Sequence, residues 1–476
     1  MRATAADAEE ARARVPSLRQ LAAGTPATRH RSIDALRALA IVAVVLGHWL
    51  LMDVVRLPDG LTGETALGYL GDVHWLTWIF QVMPLFFLVA GFSNAISWTR
   101  HQERGQDAAT WLLGRSSRVF TPLTLLLALM ATAAFTAGRL GASEFEIAQA
   151  VSVVVLPLWF MVVYLAVLLL TPLLFRLHRR VGLWALAGAL LGVLIGDVLR
   201  FSTGIEYTAG ANFAFAWAGI HQVGFAWQDG RLDALIRRPW KAWALAAVGL
   251  AGAWALTVPG PYPTSMVSIP GAPLQNSGPP SLALVSLATA QIAVALAVSC
   301  PLDRLLRRSR RLWALVIGLN AVIMTLYLWH MVAGFFGAMI WDALGLLPQE
   351  PSFAERALVP GTATWWWQRI AWVATLSVVI AVVIAAVGWV ERRSLTARLG
   401  APPARAGEVP RPARGRRWWL TAAVIAYLSA VFGMYWQASA GRGPHGPFTV
   451  PTGALTLTLV ASATLWGLRR ADARRA

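Results

Sequence analysis

The sequence predicts an all-α protein, a polytopic bundle of about twelve transmembrane helices. Three observations predict it. Only 13% of the 476 residues are charged, about half the share found in a soluble domain, which is too few to coat a globule. Apolar residues make up 57% of the chain and gather into runs of about 20, the length at which a helix crosses the hydrocarbon core. Basic residues alternate from connector to connector. Of the 41 Lys and Arg, 34 lie in or beside the N-terminal tail, every second connector and the C-terminal tail. Arg56, Arg139, Arg200, Arg356, Arg369 and Arg442 fall on the other side, and Arg37 lies within the first run. This positive-inside pattern predicts a multi-pass plasma-membrane protein with both termini cytoplasmic. It assigns the net charge of +18 to topology and anionic lipid heads, not to nucleic acid.

In order, the expected spans are 34–55, 75–98, 117–138, 150–174, 182–199, 211–229, 240–257, 281–300, 312–341, 366–390, 418–437 and 451–468. Residues 1–30, polar and rich in Ala and Arg, read as a disordered cytoplasmic tail, and the run after them is too long for a signal-peptide core. Residues 31–391 form a ten-helix unit. Residues 392–417 mix Pro, Gly and Arg and read as a linker, leaving 418–476 as a terminal helix pair with a short basic tail. The uncharged outer connector from Thr257 to Ser281 carries seven prolines, and Trp365, Trp366 and Trp367 open the tenth span as an interfacial anchor. The single cysteine, Cys300, excludes an internal disulfide.

Ionisable groups at membrane depth are costly and mark function by default. They are Asp34, Arg37 and His48 on the first span, Asp197 on the fifth, His221 on the sixth and His330 on the ninth. Arg37 and His48 are eleven residues apart, about three helical turns plus 20°, so they share one face about 16 Å apart along the axis. Asp34 falls on that face and pairs with Arg37 at i, i+3. The second span ends in MPLFFLVAGFSNAISW, where Pro84 allows a kink. Arg115 and Arg118 open the third span at i, i+3, and with Arg37 they suit a cationic funnel for phosphates; ordinary flanking charge is the competing reading. In the ninth span, Asn320, Tyr327 and His330 place an amide, a phenol and an imidazole in the bundle. His221 has no diagnostic spacing and reads as core packing. Three histidines on three helices are enough in number for a metal, but no acidic or second-shell partner accompanies them, so none is expected.

The first span, RSIDALRALAIVAVVLGH, resembles the signature of the acyltransferase-3 family of integral-membrane acyltransferases, an Arg followed after ten residues by a His. Here these are Arg37 and His48. PLFFLVAGF at 84–92, RSSRVFTPL at 115–123 and YLWH at 327–330 fit the same pattern, from about Arg31 to Glu391. The resemblance implies an acyl-CoA donor from the cytoplasm and a glycan, glycolipid or secreted small-molecule hydroxyl as acceptor, on the outer side or within the bilayer. It makes His48 the catalytic candidate, with Arg37, Arg115 and Arg118 on the donor side. Asp34, Tyr327, His330 and His221 would support or contact substrate. The last two spans lie outside the family's ten-helix pattern. Bottom-up, transfer to a hydroxyl needs a base, which His48 can supply; it can equally carry the acyl group in a ping-pong route. A non-catalytic transporter of a lipid-linked or amphipathic molecule would use the same His and Arg as a relay or clamp. Acyl chain length, expected to be that of acetyl, and oligomeric state are not legible.

Overall fold

The computed structural model describes residues 18–350, 359–388, 416–439 and 450–473. Of the segments expected from the sequence, residues 1–17 and most of the 392–417 linker lie outside them. The chain is almost wholly helical. Its main helices are α1 (Arg31–Leu51), α2 (Met83–Glu103), α3 (Ala108–Arg139), α4 (Glu144–Val155), α5 (Leu158–Val181), α6 (Trp184–Thr203) and α7 (Asn212–Gln228). They continue as α8 (Pro239–Thr257), α9 (Leu282–Arg308), α10 (Arg310–Ala321), α11 (Ile323–Ala343), α12 (Ala363–Val387), α13 (Arg416–Ser439) and α14 (Thr452–Ala473). Among the described residues, eight helical stretches are long and apolar enough to cross a membrane. α7, α8, α13 and α14 coincide with four further expected spans but fall outside those eight.

Four expected spans are reshaped. The first ends at Leu51, because Met52–Leu57 pairs antiparallel with Gly60–Thr65, Val54 opposite Gly63. The β-branched pair Val54-Val55 suits a strand, and Gly60 turns the chain at φ +130° with the Glu146 side chain packed against it. The second begins as 3-10 and short helical turns, and α2 proper starts at Met83 with Pro84 in its first turn. Pro84 therefore opens a helix and does not kink one, since a proline there forfeits no helical hydrogen bond. The fourth is broken at Pro157 into α4 and α5, and the ninth at Val322 into α10 and α11. Part of the tail expected to be disordered is folded: Leu18–Ala23 is helical, and the Trp313 indole donates to Thr25 Oγ1 at 2.9 Å.

α1 is central, touching α2, α9, α10, α11 and α12. α2 and α7 approach closely. Gly91 and Gly224 face each other there, and a Cβ on either would run into the opposing backbone, the small-residue contact typical of membrane helices. Asn94 and His221, each three residues from its glycine, are brought together by that crossing. α13 packs on α5 and α14 on α3, and the Tyr427 hydroxyl donates to Leu165 O at 2.7 Å.

Candidate active site

His48 sits in the last turn of α1. Its Nδ1 lies 2.9 Å from Nε2 of His330 on α11, and the two rings stack with centroids 5.0 Å apart and 19° between planes. His330 Nδ1 lies 2.6 Å from the Tyr327 carbonyl oxygen. That oxygen can only accept, so His330 carries its proton on Nδ1 and offers a lone pair at Nε2. His48 must then donate from Nδ1, which leaves its own Nε2 lone pair unprotonated. The chain of bonds has one direction, and it is set by a backbone carbonyl.

The surroundings hold both rings still. Trp49 Nε1 donates to His330 O at 2.9 Å, and the Tyr327 hydroxyl donates to Pro157 O at 2.7 Å, a carbonyl left accessible by the break between α4 and α5. Trp372 Nε1 and Arg369 Nη1 of α12 donate to Trp49 O at 3.1 Å and Met52 O at 2.6 Å. These cap the C-terminal carbonyls of α1, where a cation is also favoured by the helix dipole. His48 is thereby locked from both sides of the bundle.

Three turns down α1 lies a second constellation. Arg37 Nη2 donates to Ser93 Oγ at 2.9 Å and Nη1 to Asn320 Oδ1 at 3.4 Å. Its expected partner Asp34 stands 3.6 Å away and also accepts from Arg29 at 2.7 Å. The next residue of α2, Asn94, accepts from Arg115 Nη2 through Oδ1. Arg115 also feels the charges of Arg118 and Arg37, and Arg118 is solvent-exposed on α3. Because a guanidinium only donates, Asn94 must turn its Nδ2 to His221, 3.2 Å away, and His221 accepts at Nε2. His221 is therefore neutral, with its proton on a buried Nδ1 that has no partner among the described residues.

Thus the structure gathers Arg37, Arg115 and Arg118 at one end of α1 and His48 with His330 at the other, with Tyr327 behind His330. His221, whose spacing suggested only core packing, stands beside the arginines and orients Asn94. Sequence reasoning gave Ser93 and Asn94 no role beyond small polar groups; their place within PLFFLVAGFSN, one turn past Gly91, was the available signal. No cluster of three or more His, Cys, Asp or Glu able to hold a metal occurs among the described residues.

Asp197 is different. Oδ1 accepts from Asn212 Nδ2 at 3.0 Å and pairs with Arg200 at 3.1 Å. Oδ2 accepts from the Tyr262 hydroxyl and from Leu282 N, both at 2.7 Å. Burial and then the bond to Asp197 raise the Tyr262 pKa above its ordinary value, so the phenol stays a donor. This carboxylate is a structural knot that ties the proline-rich connector to α6, α7 and α9.

The acyltransferase-3 family model, described as an acyltransferase domain, matches residues 30–389, and the chain belongs to that family. The match runs through α1 to α12 and stops before the terminal pair. No curated protein and no solved structure matches the chain. With its apolar helices, this is a multi-pass membrane acyltransferase-family protein.

Proposed function

We propose that this protein is a membrane-bound O-acyltransferase that moves an acyl group, expected to be acetyl, from acyl-CoA to a hydroxyl of a glycan, glycolipid or secreted small molecule. The observation that carries the reading is the one-way hydrogen-bond chain from His48 through His330 to Tyr327 O, because it leaves His48 Nε2 free to take a proton. As the acceptor oxygen attacks the thioester carbon, its proton passes to Nε2 and the carbonyl electrons move onto oxygen. They return as the C–S bond breaks, and the thiolate leaves with the proton from His48, giving the ester and free coenzyme A. The imidazolium formed on the way donates to His330, whose own proton rests on the Tyr327 carbonyl, so the positive charge has a partner at every nitrogen on that side.

The arginine constellation, at the opposite end of α1 from His48, supports donor binding from the side that the distribution of basic residues predicts to be cytoplasmic. Arg37 and Arg115 each carry five N–H donors, more than their contacts to Asp34, Ser93, Asn320 and Asn94 consume, and Arg118 adds its charge beside them. Phosphates held there leave the flexible arm of coenzyme A to cover the roughly 16 Å along α1 to His48. The deciding experiment is His48→Gln, which keeps size and polarity but cannot accept the proton. Turnover should fall about 100- to 10,000-fold with acyl-CoA binding and folding intact; a near wild-type rate would overturn the reading. The same free Nε2 is the attacking atom if the acyl group rests on His48, and trapping with radiolabelled acyl-CoA in the absence of acceptor separates the two routes.

A further inference from the structure

A cavity of about 520 Å³ is lined by residues of the two helix regions that carry the histidine pair, though by neither histidine, and by none of the arginines above. Its walls come from the β hairpin, the second half of α3, α4 and α11. Met52, four residues after His48, and Trp329, immediately before His330, both line it. The volume is that of a small-ligand site, about 300–1,000 Å³. Its lining is almost entirely hydrocarbon, and apolar cavities of this kind do not hold ordered water. The cavity is open on one side. Leu129, Phe336 and Met339, all wall residues, are 44%, 46% and 47% exposed and belong to helices long and apolar enough to cross the membrane, so the mouth faces lipid.

Two further features set the chemistry of an occupant. Alanines on opposite walls, Ala133, Ala134 and Ala137 on α3 and Ala150 on α4, leave the space between them. Toward the hairpin the wall turns polar, with Thr62, Glu146 and Gln149. There Gln149 Oε1 is buried with no hydrogen-bond partner among the described residues. An unpaired buried carbonyl oxygen keeps its desolvation penalty, which an O–H or N–H donor from a ligand would recover. A molecule that satisfies both ends is a long aliphatic chain with a donor-bearing head.

We propose that this cavity holds the aliphatic chain of a lipid-borne acceptor that enters sideways from the bilayer, its head group donating to Gln149 Oε1. The inference rests on the acyl-transfer reading above and narrows the acceptor within it, from any hydroxyl compound to one anchored in lipid. It is tested without turnover. The full-length protein in detergent is irradiated with a long-chain alcohol bearing a diazirine in its tail, and the label is mapped by peptide mass spectrometry. Label should fall within 126–137, 150–154 and 329–339 and drop several-fold in Ala150→Phe, which fills the space. Gln149→Leu keeps the shape and deletes the acceptor; it should weaken labelling by the alcohol and spare labelling by a diazirine alkane of equal length. Label that maps elsewhere, or that persists in a folded Ala150→Phe protein and in Gln149→Leu alike, overturns the proposal. Competition by long-chain acyl-CoA but not by unlabelled alcohol would give the cavity to the donor's acyl chain, and overturns it too. Because labelling needs no catalysis, loss of the His48 reading would leave the result interpretable.

Discussion

At Asp197, three hydrogen-bond donors and one ion-pair partner converge on one carboxylate: Asn212, Tyr262 and the Leu282 amide, with Arg200 of its own helix. At His48, two rings and a carbonyl form a line with one donor for each acceptor and a lone pair left over. Both sites are buried ionisable groups on membrane helices, and depth alone marks both as candidates for function. Their valence separates them. A carboxylate has about four acceptor sites, and at Asp197 three accept hydrogen bonds while Arg200 pairs with the charge, so the group is committed to its scaffold. His48 retains a lone pair at Nε2 that the bond to His330 does not use, which is what a base requires. Counting unused donors and acceptors is therefore a sharper guide to chemistry here than counting charges in the membrane.

The contrast is open to test by variants that should move one property and leave the other. The largest expected effects come from the two anchors. Against the loss of turnover at His48→Gln, Asp197→Ala should cost about 3 kcal/mol in stability, the low end of the penalty for removing one partner of a buried ion pair because Arg200 keeps Glu206 at 3.5 Å, while the folded fraction keeps its rate. A lowered rate per folded molecule would mean that the knot reaches the active site. Next, His330→Phe keeps the stacked ring and removes the lone pair that receives the His48 proton. A hydrogen bond to a charged group is worth about 1.5–3 kcal/mol, so coenzyme A release should slow about 10- to 100-fold with the melting temperature little changed. An unaltered rate would show that His48 acts without its neighbour.

Arg115→Lys retains charge and loses the planar fork that reaches Asn94. Donor affinity, measured by calorimetry with acyl-CoA, should weaken by roughly tenfold, about 1.4 kcal/mol. Equal affinity would return this residue to ordinary flanking charge. The smallest effect is expected at Tyr262→Phe, which removes one of the three hydrogen-bond donors on Asp197. It should lower stability by about 1–2 kcal/mol with no change in turnover, readable as a shift in thermal unfolding alone.

The helices were legible in the sequence wherever a run of apolar residues was uninterrupted, but interruptions were not. Pro157 and Val322 divide runs that read as continuous, and Met52 leaves the helix although Met52-Asp53-Val54-Val55 extends an apolar stretch. Two of these departures are stabilised by distant partners, Tyr327 at Pro157 and Arg369 at Met52. The Leu18–Ala23 helix was likewise invisible, because a polar, Ala-rich segment becomes ordered here by packing on Trp313.

The sequence by itself determined the membrane class and the shared face of Asp34, Arg37 and His48. These follow from composition and from 3.6-residue periodicity, both local properties of the chain. Only the tertiary structure decided what each polar group meets. His48 and His330 are 282 residues apart, and neither ring reveals alone which nitrogen bears its proton. That is settled by the Tyr327 carbonyl, an acceptor that cannot reverse its role, once α1 and α11 are packed side by side. Asp197 carries the same message in reverse: Arg200 is a neighbour on its own helix, but Asn212, Tyr262 and Leu282 come from separate segments that only the folded bundle brings to it.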